Sequence, residues 1–149
     1  MRGNEVRPGT TSVPPAGKDR MATLLYVDDE ETIGRAVSRW FERRGHVVHV
    51  AHSLADARIL LERHDPDTIF VDVWLGTESG FELLSWLEDT RPHLSERVVF
   101  VTGALADSEP AHGRIWKTLG RPVVQKPFDF AQLEAFATYA ADAERSMRT

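Results

Sequence analysis

The sequence predicts a doubly wound α/β domain, a five-stranded parallel sheet with helices on both faces. Two observations carry this. From Thr23 onward, five short runs rich in Val, Ile, Leu and aromatic residues alternate with longer segments whose apolar residues recur at helical spacing. The runs are nearly continuous in apolar character, as strands buried on both faces are. Helices between such strands imply right-handed βαβ crossovers and a parallel sheet.

The elements follow in order. Residues 24–27 form the first strand. Ile33, Ala36, Val37, Trp40 and Phe41 then keep i, i+3, i+4, i+7, i+8 spacing, and Gly45 supplies a C-terminal stop. Residues 47–51 are the second strand, and Ser53 caps a helix carrying Leu54, Ala57 and Leu61. The third strand is 68–71, followed after Gly80 by a helix marked by Phe81, Leu84 and Leu87. The fourth strand is 98–101, and Ile115 and Leu119 mark a weaker fourth helix. The fifth strand is 122–125. Leu133, Phe136, Ala137 and Ala140 mark the last helix, with Asp129 as its N-cap.

Composition bounds the function. A chain of 149 residues, 42% hydrophobic and 28% charged, is that of one soluble globular domain with a proper core. A net charge of -5 without a Lys/Arg cluster argues against nucleic-acid binding. The absence of cysteine excludes disulfides, thiolate nucleophiles and zinc ribbons, and fits a reducing interior. No apolar run reaches transmembrane length, so no membrane insertion is expected. Residues 1–22 read as a flexible leader. The first twenty are rich in Gly, Pro, Thr and charge and bury too little apolar surface to offset their ordering entropy. Residues 23–149 form the domain.

Most of the predicted strands meet polar residues at the same end. The first runs into Asp28 and Asp29, the third into Asp72, the fourth into Thr102 and Gly103, the fifth into Lys126 and Pro127. In a parallel sheet those carboxyl ends share one edge, where open α/β sheets bind ligands. Three carboxylates about 4 Å apart repel by roughly 4 kcal/mol per pair at a surface-like dielectric. A hard divalent cation removes that penalty, and Mg²⁺ takes a few carboxylates while keeping several waters. With Lys126 as a mobile positive charge and Thr102 as a hydroxyl donor, the set describes a pocket for a tetrahedral dianion beside a metal. A carboxylate so placed can attack phosphorus and form an acyl phosphate.

These residues resemble the receiver domains of two-component response regulators, over Thr23 to about Met147. The carriers are "DD" after the first strand, "IFVDVWLGTESG" around the third, "VTG" after the fourth and "KPF" after the fifth. The resemblance implies a flavodoxin-like sheet of order 2-1-3-4-5. It implies that Asp72 is the phosphoacceptor, served by a sensor histidine kinase or a histidine phosphotransfer protein. Asp28, Asp29, Asp72 and the backbone carbonyl of Trp74 would hold Mg²⁺, with Mn²⁺ as a substitute. Thr102 and Lys126 would bind the phosphoryl oxygens, Gly103 would keep room beside them, and the Lys126–Pro127 bond would be cis. Such a protein is no enzyme beyond its own phosphorylation and dephosphorylation. It works in the cytoplasm and switches a downstream target, or a homodimer, through the face of the fourth helix, fifth strand and fifth helix. The expectation is a stand-alone receiver; the alternative is a receiver-like docking module that works unphosphorylated.

Three positions depart from the family pattern. Gly76 stands where Pro is usual, Val123 stands in the slot of an aromatic switch residue, and Trp74 is bulky for a place beside the pocket. Two other chemistries fit poorly. A phosphatase resembling the haloacid dehalogenases needs a second Asp at position 74, and an FMN site would be repelled by the four carboxylates at 28–31. For those acids the plainer expectation is capping, with Asp28 as N-cap and Glu31 completing a capping box; Glu30 and Glu31 are given no further role. His46, His49 and His52 recur every three residues, so a strand would send them to opposite faces and leave them solvated. Trp40 and Trp86 read as packing residues, Trp116 as an interface candidate.

Overall fold

The structure is a computed structural model and describes residues 21–103 and 120–148, with side chains through residue 141. The strands are β1 (Thr23–Val27), β2 (Val47–Ala51), β3 (Thr68–Asp72), β4 (Trp74–Leu75), β5 (Glu78–Ser79), β6 (Val98–Thr102) and β7 (Val123–Gln125). The helices are α1 (Glu31–Arg43), α2 (Leu54–Arg63), α3 (Gly80–Thr90), the single turn α4 (Pro92–Ser95) and α5 (Phe130–Arg148). The main sheet has the order β2-β1-β3-β6-β7, every pair parallel. The short β4 and β5 form a separate antiparallel hairpin, so the main sheet alone reads 2-1-3-4-5, as expected.

Strand alternation divides the core into two layers. Leu25, Val27, Ile69, Val71 and Phe100 face α2 and α3, packing on Ala57, Leu61, Leu83 and Leu87. Leu24, Tyr26, Phe70, Val99 and Val101 face α1 and α5, packing on Val37, Phe41, Leu133 and Ala137. Each large side chain removed from water contributes about 1.5–3 kcal/mol, so the three central strands, buried along nearly their whole length, anchor the domain. The edge strands β2 and β7 are only partly covered.

Local signals set the helix boundaries. Past the end of α1, Gly45 takes φ +92°, and the N–H groups of Gly45 and His46 close onto the carbonyls of Glu42 and Phe41. Ser53 caps α2 by accepting the Asp56 N–H, and Ser79 and Glu82 form a reciprocal capping box at α3. The capping box expected at residues 28–31 does not form. Glu30, not Asp28, is the N-cap of α1 and makes no side-chain cap; Asp28 Oδ1 accepts the Glu30 N–H just ahead of the helix, while Oδ2 faces Tyr26 and Lys126.

Two further expectations change, and the expectation that the three histidines share no centre holds. Ala22, assigned to the leader, is buried, and its carbonyl accepts the Val47 N–H, so the folded part begins at least one residue earlier. His46 is buried and bonded to Glu134, not solvated, because its place at the start of β2 turns it under α5. His49 stacks on His64 at 3.9 Å, and His52 lies 3.1 Å from the Asp28 carbonyl, so the three histidines share no centre. The expected fourth helix, Trp116 and residues 1–20 lie outside the described residues. Among the described residues no helix is long and apolar enough to cross a membrane.

Candidate functional site

The sheet register brings the polar strand ends together. Val27 pairs with Val71, so Asp28 follows β1 beside Asp72 at the end of β3. Asp72 pairs with Val101, which sets Thr102 one residue beyond, and Thr102 pairs with Gln125, just before Lys126. The Lys126 N–H donates to the Thr102 carbonyl at 2.9 Å, extending that pairing into the loop. The Lys126–Pro127 bond is cis.

One ammonium ties the acids together. Lys126 Nζ lies 2.8 Å from Asp72 Oδ2, 2.9 Å from Asp28 Oδ2 and 2.9 Å from Glu30 Oε1. Its three donors thus meet three carboxylates. Burial works against the charge on Lys126, but the hydrogen bonds to Asp72, Asp28 and Glu30 outweigh it and hold the ammonium well above the ordinary lysine range. Burial pushes the Asp72 carboxyl up, only partly offset by hydrogen bonds from Lys126 and the Trp74 N–H. Asp72 is therefore a desolvated carboxylate with one fixed cation and one backbone donor, Trp74 N to Oδ1 at 3.1 Å.

Asp28, Asp29 and Asp72 each offer a carboxylate oxygen, all within 4.8 Å of one another. Asp28 and Asp72 are buried, whereas Asp29 is exposed, which leaves an open side for solvent ligands. Hard oxygen donors with room for water suit a divalent cation of the Mg²⁺ or Ca²⁺ kind. The donor set therefore fits the group that the sequence pattern implies.

The remaining predicted residues fall around this cluster. Thr102 is fully buried at the end of β6. Trp74 is 41% exposed, with its peptide unit against Asp72. Gly76 has φ +62°, a conformation closed to proline, so the departure at this position accompanies a different loop: the two-residue turn of the β4–β5 hairpin. A Cβ at Gly103 would stand 3.8 Å from the Lys126 Cβ, ordinary contact, so this arrangement does not itself demand glycine there. Val123 is half-buried and packs against the core layer under α2 and α3.

Two residues at the cluster escaped the sequence reading. The Tyr26 hydroxyl donates to Asp28 Oδ2 at 3.0 Å, and Glu30 takes the third donor of Lys126. Tyr26 was findable, since a strand places residues two apart on one face. Glu30 was not, because its partner lies 96 residues away. Burial, with the charge of Asp28 adding to it, raises the Tyr26 phenol far above its ordinary value, so the hydroxyl is a donor.

Comparison with known proteins agrees with this geometry. The sequence model of the response regulator receiver domain matches residues 24–138. The heme response regulator HssR of Staphylococcus saprophyticus is 36% identical over 115 residues, covering 76% of this chain and 48% of its own length. The photosynthetic apparatus regulatory protein RegA of Cereibacter sphaeroides is 32% identical over 87 residues, covering 58% of this chain and 45% of its own. The chain thus spans about half the length of these two relatives. Among solved structures, a response regulator of Burkholderia pseudomallei containing a phosphorylated aspartic acid, a calcium ion and citrate is 26% identical. It has a TM-score of 0.65 and covers 85% of this chain and 72% of its own. A CheY-like receiver domain protein of Methanospirillum hungatei, at 20% identity, shares the fold with a TM-score of 0.71, covering 85% of this chain and 98% of its own. The matched span, the sheet order and the acid cluster at its carboxyl edge together make this chain a member of the response regulator receiver domain family.

Proposed function

We propose that this chain is a phosphoacceptor that takes a phosphoryl group onto Asp72 in the presence of Mg²⁺ and thereby switches the binding of a partner. The observation that carries the reading is the single Lys126 ammonium shared by Asp72 and Asp28, with Asp29 in the same cluster. Asp28, Asp29, Asp72 and the Trp74 carbonyl would hold the cation, Mg²⁺ or Mn²⁺, which neutralises charge on the phosphoryl oxygens when bound.

The chain's own residues supply the rest. A carboxylate oxygen of Asp72 attacks phosphorus of a phosphohistidine, the P–N bond breaks, and the imidazole leaves as the neutral base after taking a proton. Lys126, already within hydrogen-bond distance of Asp72, binds a phosphoryl oxygen as negative charge builds there. The Thr102 hydroxyl turns toward a second oxygen. The donor is a sensor histidine kinase or histidine phosphotransfer protein, so the chain works in the cytoplasm. Its output face is β7 with α5 and the segment before them, engaging a protein target or a second copy. The protein turns over no substrate other than its own acyl phosphate.

Intact mass with acetyl phosphate and Mg²⁺ tests the reading. One phosphoryl adduct is expected on the wild type and none on Asp72→Asn. The alternative reading, docking without phosphorylation, draws on the exposed Trp74 beside the acids. It predicts no adduct on either protein and no Mg²⁺-dependent change in Trp74 fluorescence.

A further inference from the structure

Asp28 is fully buried, and its carboxylate is held from two sides. Oδ1 accepts the Glu30 N–H at 3.0 Å. Oδ2 accepts both the Tyr26 hydroxyl at 3.0 Å and the Lys126 ammonium at 2.9 Å. The two donors on Oδ2 differ in kind. Lys126 sits on a flexible stem and has Asp72 and Glu30 as other acceptors, so it can release Oδ2 without being orphaned. Tyr26 cannot. Its side chain is wholly buried in the layer under α1 and α5, and its ring meets Phe128 edge-on at 6.4 Å, in the loop that carries Lys126. A buried phenol needs a partner for its hydroxyl, and here the partner is a carboxylate of the cation cluster.

We propose that Tyr26 is a positioning residue for the cation site, its hydroxyl fixing the Asp28 carboxylate in the orientation in which it ligates a divalent cation. The proposal rests on the cation-binding half of the reading above and does not need phosphoryl transfer. When a cation enters, Lys126 yields Oδ2 and stays with Asp72 and Glu30, while Tyr26 keeps its bond. Outer hydrogen bonds of this kind set ligand orientation, and losing one costs roughly 10–100-fold in metal affinity.

The test is isothermal calorimetry of the full chain with MgCl₂, without a phosphodonor. Tyr26→Phe keeps the ring and deletes only the hydroxyl. Its Mg²⁺ dissociation constant should rise about tenfold. A purely structural tyrosine would lower the urea midpoint and leave Mg²⁺ affinity alone; that result overturns the proposal. A second measurement needs no variant. The sequence has two tyrosines, Tyr26 and Tyr139, and Tyr139 is 49% exposed. In protein carrying 3-fluorotyrosine, the ¹⁹F signal of Tyr26 should move with added Mg²⁺ and that of Tyr139 should not. A stationary Tyr26 signal in protein that calorimetry finds loaded also overturns the proposal. Wild type that takes up no Mg²⁺ instead sinks the cation reading itself.

Discussion

His46 presents Nε2 to Glu134 Oε2 at 2.7 Å, while its Nδ1 accepts the Ala22 N–H at 3.0 Å. A backbone N–H can only donate, so Nδ1 is the unprotonated nitrogen and Nε2 carries the hydrogen that Glu134 receives. Arg44 completes the group, donating from Nε to the same oxygen at 2.7 Å while its guanidinium lies 4.8 Å over Trp40. The cluster joins the start of the folded chain, the edge strand β2 and helix α5. His46→Ala would strand the Ala22 N–H and remove one of the two donors to Glu134. A loss of about 3 kcal/mol is expected, read as a lower urea midpoint. Mg²⁺ affinity should not change, since these contacts are made at the other end of the sheet.

Glu134 gives the same cluster a pH dependence. Burial works against its charge, but Arg44 and His46 hold the carboxyl below the ordinary glutamate value. A depressed folded pKa stabilises the fold above the unfolded value, about 4.3, and that contribution is lost as pH falls through the folded value. In urea titrations below about pH 4.5, Glu134→Gln should therefore lose stability less steeply than the wild type. Parallel slopes would show that the carboxylate contributes no charge-dependent stability.

The stacked pair His49 and His64 acts in a higher window. Burial and the charge of His64 both lower the pKa of His49. Here too the unfolded chain binds more protons, so stability is full above about pH 6.5 and declines as pH falls through the lower folded value. His64→Gln removes the repelling charge. Between about pH 7.5 and 5, its melting temperature should fall less than that of the wild type.

Much of this architecture was legible in the sequence because it depends on period and on strand ends. Asp28, Asp72, Thr102 and Lys126 each follow an apolar run, and the parallel register does the rest. Contacts that only packing creates were not legible. The Glu30–Lys126 pair spans 96 residues and His46–Glu134 spans 88, and neither leaves a local trace. Asp28 reads locally as the helix N-cap, yet α1 starts after Glu30, and Asp28 divides its carboxylate between the Glu30 N–H on Oδ1 and the Tyr26 and Lys126 donors on Oδ2. The turn at Gly76 is a local signal, but it is hidden until the β4–β5 hairpin gives it a purpose.

Gly80 sets two effects of opposite sign against each other. At the start of α3, alanine would gain up to about 1 kcal/mol in helix propensity. A Cβ there would collide with the backbone carbonyl oxygen of Asp72 and crowd Val71, and backbone cannot swing aside as a flexible side chain can. Overpacking of this kind costs about 1–3 kcal/mol, so Gly80→Ala should be net destabilising in thermal melts. It should also weaken Mg²⁺ binding, because the strand end that must shift carries Asp72.

Lys126→Met separates the lysine's two roles. Without the ammonium, Asp28 and Asp72, 0% and 6% exposed, face each other without their shared cation. Breaking a buried ion group by removing one partner costs about 3–5 kcal/mol, so the variant should unfold at much lower urea in EDTA. A divalent cation held by Asp28, Asp29 and Asp72 would replace the missing charge. Ligand at about 100 times its dissociation constant adds about 2.7 kcal/mol, and the variant should bind Mg²⁺ more tightly than the wild type because Lys126 no longer competes for Asp28. Most of the gap in urea midpoint should then close in Mg²⁺, while labelling by acetyl phosphate should stay low if Lys126 binds the phosphoryl group as proposed. A gap that is the same in EDTA and in Mg²⁺ would mean that lysine and cation do not share these carboxylates.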